Sequence, residues 1–265
     1  MYPFVHIGSY AIQTYHICML IGLLMGSLVF FHFSKPFGLP LKKIVPLYLI
    51  LVVGAYQSCK LLYVGTRLHT LKTWDFASLS SVYGTGLVWY GAVIFTLIVV
   101  PLWCKVFKLS LRSCMDGIVL AAAIGQCWGR IGCFLAGCCY GRPTESAFGV
   151  VSPFVLRRAY RAIPIHPAQL YAAGLLFLLF VGLVLLARKR PFEGAVAGMY
   201  FLAYPILRIF VELFRDDHRM FLMDGALSFG QAISAALFCL GIMILYFSWM
   251  HQKRESSLKP VEASA

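Results

Sequence analysis

Ala168-Gln-Leu-Tyr-Ala-Ala-Gly-Leu-Leu-Phe-Leu-Leu-Phe-Val-Gly-Leu-Val-Leu-Leu-Ala187 runs for 20 residues without a charge and then meets Arg188-Lys-Arg190. A helix rises 1.5 Å per residue, so such a run is about 30 Å long, the thickness of a bilayer's hydrocarbon core. A helix also satisfies its own backbone, which lipid cannot do for it. Working outward, the pattern recurs over Ala11 to Phe33, Ile44 to Val64, Gly86 to Phe107, Ser113 to Leu135, Gly194 to Phe214 and Leu227 to Met250. The composition agrees: 60% of the 265 residues are hydrophobic and 12% charged, with a mean hydropathy of +0.81, more apolar surface than a water-soluble domain of this length can hide. The expected fold is all-α, a polytopic membrane helix bundle of about seven transmembrane helices forming a single integral membrane domain over 1–265. No cleavable signal peptide is expected, because the N-terminus lacks a basic leading region and the first apolar run is long enough to remain in the membrane.

Basic residues orient the bundle. Lys35, Lys42 and Lys43, then Lys105, Lys108 and Arg112, then Arg188, Lys189 and Arg190, and finally Lys253, Arg254 and Lys259 all fall on one side if the N-terminus is outside. The positive-inside rule assigns that side to the cytoplasm, with a short cytoplasmic tail over 251–265. One segment departs from the pattern. The external loop over 137–167 carries Arg142, Arg157, Arg158 and Arg161 against Glu145 alone. Either the loop is long enough to escape the rule, or it meets anionic lipid or substrate. The net charge of +13 adds little to this, and no motif for nucleic acid is present.

Of nine cysteines, Cys18, Cys59, Cys104, Cys114, Cys127 and Cys239 fall in or beside apolar runs and are expected to be small apolar filler. Cys133, Cys138 and Cys139 cluster in Gly129-Arg-Ile-Gly-Cys-Phe-Leu-Ala-Gly-Cys-Cys-Tyr-Gly-Arg-Pro-Thr144. Their spacing matches no standard closed zinc pattern, so they are expected to line a pocket, with no metal and no cofactor, although a disulfide is open to them in an oxidising exterior.

An ionised side chain at membrane depth is costly and faces the bundle interior or a partner. Arg130 and Arg208 stand within apolar runs, at depths of roughly 26 and 21 Å from the inner face. Tyr204, Arg208 and Glu212 recur every four residues and share one helix face, with Glu212 a natural partner for Arg208. One carboxylate cannot neutralise two arginines. Unless Asp116 or Asp224 reaches them, the excess charge suits a phosphate held through two-pronged hydrogen bonds. The competing reading is a salt-bridge network that only locks helices together. Gly22-x-x-x-Gly26 and Gly125-x-x-x-Gly129 are expected to be helix-packing faces. Gly132, Gly137 and Gly141 permit a turn and a close backbone approach at the outer end of the fourth run. His166 and Gln169 open the fifth from the same side.

At these residues the chain resembles the prolipoprotein diacylglyceryl transferase family, as a divergent member. The resemblance runs through most of the sequence. It is most specific in Gly129-Arg-Ile-Gly132 with Gly141, in His166-Pro-Ala-Gln-Leu-Tyr171, and in Tyr204 to Arg208 followed by Glu212; Tyr15 and Tyr90-Gly-Ala-Val-Ile94 add to it. Three positions depart: the family usually has His where Tyr90 stands, Asn where Cys133 stands and an acidic residue where Cys138 stands.

The resemblance implies an enzyme of the bacterial cell inner membrane that moves the diacylglyceryl group of phosphatidylglycerol onto the lipobox cysteine thiol in a prolipoprotein signal peptide. It implies Arg130 and Arg208 as a phosphate clamp positioned by Glu212, and Tyr15, Tyr204, Gly141 and Gln169 beside the phospholipid. His166 or Tyr90, or an ionised Tyr or Cys assisted by the arginines, would accept the thiol proton, and an imidazole, with its ordinary pKa near 6.5, suits that role better than a phenol. Two alternatives stay open: a related phospholipid-dependent transferase with another acceptor, and a membrane transporter or metal-handling protein without enzymatic activity. No internal repeat of the kind many transporters carry is visible.

Overall fold

A computed structural model of the chain describes residues 3–8, 10–68, 75–86, 88, 90–151, 163–215, 221–222 and 227–262. The helices among them are α1 (Thr14–Ser34), α2 (Leu41–Arg67), α3 (Phe76–Thr85), α4 (Tyr90–Phe107), α5 (Leu111–Ala136), α6 (Ala168–Lys189), α7 (Ala195–Glu212) and α8 (Phe229–Glu262). Six are long and apolar enough to cross a membrane, and the shorter apolar helix Gly91–Phe107 makes the seventh expected span. The chain is therefore a multi-pass membrane helix bundle. Among the described residues three short antiparallel pairs accompany it: β1 (Phe4–Ile7) with β2 (Tyr10–Gln13), β3 (Val150–Val151) with β4 (Pro164–Ile165), and β5 (Phe221–Leu222) with β6 (Leu227–Ser228).

The ends of the spans differ from expectation in three places. Ala11 to Gln13 belong to a hairpin rather than to the first helix. Gly8, at φ 61°, takes the left-handed backbone that its turn needs, and Thr14 N donates to Pro3 O at 3.0 Å, so the helix begins only at Thr14. The third span starts at Tyr90 instead of Gly86, since Val88 N is committed to Cys59 O at 3.2 Å. The last helix does not end at Met250 but continues to Glu262. Gln252 Nε2 donates to Pro191 O at 2.7 Å, and the Lys253 ammonium lies over the Trp249 ring.

The described residues pack as two compact units. In the first, 1–33 with 115–265, α1 and α5 run antiparallel along their small residues. A Cβ added at Gly26 would meet Ala121 O at 3.2 Å, one at Gly22 would meet Gly125 O at 3.2 Å and Trp128 Cβ at 3.0 Å, and one at Gly132 would meet Cys18 Cβ at 3.0 Å. The glycine faces are thus packing faces, and close approach there maximises dispersion contact where lipid offers no hydrophobic drive. A second seam joins α7 to α8, where Cβ atoms at Gly198 and Gly241 would strike Leu245 and the backbone at Phe201 and Leu202. Between them, Ile124 and Cys127 of α5 bury against Ala173 and Leu176 of α6, with Tyr204 of α7 packed on the same cluster.

Asp116, fully buried in α5, accepts from the Gly194 and Ala197 backbone N–H groups at 2.8 Å each. It satisfies donors that the start of α7 would otherwise leave unpaired in lipid.

In the second unit, 34–114, the end of α4 is pinned to the start of α2. Lys43 Nζ donates to Phe107 O at 2.8 Å and Trp103 Nε1 donates to Lys43 O at 3.0 Å. Lys60, buried in α2, donates to Tyr83 O of α3 at 3.0 Å and faces the Tyr56 and Tyr83 rings.

Candidate active site

The site is built where α5 stops. Gly137, at φ 72°, leaves the helix in the left-handed conformation. Its N–H bonds back to Phe134 O and that of Cys138 to Cys133 O, both at 3.1 Å. This pair of bonds is the Schellman termination, which brings the residue after the glycine against the one five positions earlier. Here those two residues are Cys138 and Cys133. Cys139, also left-handed at φ 62°, completes the group, and the sulfur atoms of all three lie within 4.8 Å of one another. The Cys139 thiol is drawn below the ordinary thiol range by hydrogen bonds with Cys133 and Cys138 and by the guanidinium groups of Arg215 and Arg130. Cys138 is pushed up by its bonds to the other two thiols.

Gly141 knots this segment to two helices. Its N–H donates to His166 O at 3.0 Å, while Arg142 N donates to Phe214 O and His166 N to Arg142 O at 2.9 Å. A side chain at Gly141 would overlap Phe214 O and come to 2.8 Å from His166 Cβ, so the backbone crossing requires glycine. The knot fixes His166, whose Nδ1 lies 3.3 Å from the Tyr171 hydroxyl and whose ring packs edge-on against Phe214. In the first turn of α6, Gln169 is 2% exposed and donates from Nε2 to Cys138 O at 2.6 Å. Its Oε1 is buried with no hydrogen-bond donor among the described residues.

The arginines flank the packed cluster. Arg130 follows Cys127 by one turn of α5, and Arg208 follows Tyr204 by one turn of α7. Tyr200 ties the two helices below them, its hydroxyl donating to Gln126 Oε1 at 3.1 Å while its ring stacks on Tyr204. Arg208 Nη2 lies 3.7 Å from Glu212 Oε2, the expected pair. Arg130 is half-buried and makes no hydrogen bond or ion pair among the described residues. Tyr15 of α1, packed at Gly132, lies within electrostatic reach of Arg130 and the three thiols. Asp116 spends both oxygens on α7 and leaves the arginines their charge. Asp224, Arg157, Arg158, Arg161 and the Tyr90 side chain lie outside the described residues.

The prolipoprotein diacylglyceryl transferase family model matches residues 3–247. The chain belongs to this family. Among its relatives, the Clostridium tetani protein named phosphatidylglycerol--prolipoprotein diacylglyceryl transferase is 34% identical over 88% of this chain and 92% of its own length. A Clostridium perfringens protein named as number 2 of that type is 29% identical over 94% and 95%. An Anaplasma marginale protein of the same name is 27% identical over 98% and 92%.

Within this diacylglyceryl transferase bundle, two residues escaped the sequence reading. Arg215 is 5% exposed and bridges Gly141, but it sits one residue past the apolar run, where a charge looks unremarkable. Its place seven residues after Arg208, two helical turns, was the available signal. Lys60 lies inside the second apolar run, with Tyr56 one turn before it, and a charge at that depth is the same signal that marks the arginines.

Proposed function

We propose that this protein transfers the diacylglyceryl group of phosphatidylglycerol to the lipobox cysteine thiol of prolipoproteins, at the outer side of a bacterial inner membrane, with its N-terminus outside and its C-terminus in the cytoplasm. The relatives' names point to this donor and this class of acceptor. One structural observation carries it: Arg130, half-buried at the end of a membrane helix, has no hydrogen bond or ion pair among the described residues. A guanidinium at that depth calls for an anion, and a phosphodiester fits its two-pronged donors.

Arg130 and Arg208 hold the phosphate and stabilise charge developing on the leaving glycerol phosphate, with Glu212 positioning Arg208. Gln169 Oε1 accepts from a donor hydroxyl, and Tyr15, Tyr204 and Gly141 border the lipid. His166 engages Tyr171 through Nδ1, which leaves Nε2 for the acceptor proton. Tyr90 is the other candidate to accept the thiol proton, and Cys133, Cys138 and Cys139 line the pocket beyond the end of α5. Complementation of a cell depleted of its own transferase tests the reading. Growth with full prolipoprotein lipidation supports it, and accumulation of unlipidated precursor despite normal insertion refutes it.

A second reading, the same donor with a different acceptor, draws on the thiols at Cys133 and Cys138 where the family usually carries Asn and an acidic residue. Phosphatidylglycerol consumption without lipobox modification would favour it.

A further inference from the structure

We propose that Cys133, Cys138 and Cys139 form a three-thiolate site for one zinc ion, with the ion's fourth position open to a thiolate from outside the chain. The sulfurs lie within 4.8 Å of one another. Around a tetrahedral ion with Zn–S bonds of about 2.3 Å, ligand sulfurs stand about 3.8 Å apart, so small side-chain rotations suffice. The backbone is shaped for this gathering. The Schellman turn sets Cys138 against Cys133, and Cys139 adopts a left-handed φ of 62°, a conformation that strains a non-glycine residue. Gln169 holds the Cys138 carbonyl from α6. Two cations, Arg215 and Arg130, act on Cys139 and offset the surplus negative charge of three thiolates around a divalent ion.

Among the described residues no fourth His, Cys, Asp or Glu joins the group. Closed structural zinc sites use four protein ligands, whereas three protein ligands leave a position for water or substrate. Cys138 is exposed, so the site has access from outside. The open position deepens the transferase reading and rests on it. An acceptor thiol would lose its proton to His166 Nε2 and bind zinc as a thiolate. Its sulfur would then attack the glyceryl carbon of the donor, forming the C–S bond as the C–O bond to phosphate breaks. The electron pair leaves on the phosphate oxygen, and zinc keeps its oxidation state throughout.

The test uses the full-length protein, purified in detergent under reducing conditions, freed of metal and titrated with Zn2+, or with Co2+ as a coloured reporter. The expected result is one equivalent bound, with a sulfur-to-cobalt absorption band that disappears in the triple Cys→Ser variant. Cys138→Ser alone, at an exposed position, should lose the band while keeping the wild-type melting temperature, which guards against misfolding. No retained metal, or equal binding by the triple variant, overturns the site. A cysteine-containing lipobox peptide should shift the cobalt band and its serine counterpart should not. No shift overturns the open position. A band shift without diacylglyceryl transfer would sink the transferase reading and leave the metal site standing.

Discussion

Gln169 Nε2 donates to the Cys138 carbonyl at 2.6 Å, tying the first turn of α6 to the residue that follows the end of α5. That bond adds a side-chain link to the backbone bonds by which Gly141 and Arg142 already tie the segment carrying the three thiols to His166.

Gln169→Leu keeps the volume and removes the donor, leaving the Cys138 carbonyl without this partner. The expected loss is about 1–3 kcal/mol of stability, the cost of an unsatisfied buried group. Thermal unfolding in detergent micelles measures it, and an unchanged midpoint would show that the link is not needed.

Gly141→Ala should be far more damaging than its size suggests, because the added carbon overlaps Phe214 O and crowds His166. The knot must open, and His166 moves with it. Gly174→Ala, in α6 with nothing within 4 Å of an added Cβ, should be neutral or stabilising by up to about 1 kcal/mol. Equal melting temperatures for the two variants would contradict the described crossing.

The spans were legible because lipid imposes one requirement on every crossing segment, and Ala168 to Ala187 meets it without ambiguity. Gly22, Gly26 and Gly125 were legible as packing faces for the same reason. The hairpin before α1 was not, since Tyr10 to Gln13 extend the apolar run and hydropathy does not separate a strand from a helix. Gly137 followed by Cys138 spelled the turn that joins Cys138 to Cys133, but the left-handed conformation of Cys139 has no signal in the residue type. By sequence, Asp116 is a candidate partner for the arginines. Its actual role at the start of α7 depends on a register between helices 78 residues apart in sequence, which composition does not encode. Lys60 finds its carbonyl on α3, a helix too short and too mixed to stand out.

Arg130→Lys and Arg208→Lys should each lower kcat by roughly 100-fold or more while the protein still inserts, since lysine keeps the charge and loses the planar fork. Glu212→Gln should weaken turnover less, because it loosens Arg208 without removing it. Near-normal kcat in purified Arg208→Lys would refute the clamp.

Asp116→Ala leaves the Gly194 and Ala197 N–H groups without their acceptor, at about 1–3 kcal/mol each. Amide exchange at those two positions should accelerate, with Asp116→Asn intermediate because its one remaining oxygen still accepts. Unchanged exchange in Asp116→Ala would mean that the start of α7 is held by other groups.

The most direct measurement is mass spectrometry of a synthetic lipobox peptide incubated with the purified protein and phosphatidylglycerol. The expected result is a gain of one diacylglyceryl group on the cysteine, release of glycerol phosphate, and loss of both products in Arg130→Lys. An unmodified peptide in the presence of folded wild-type protein and donor would contradict it.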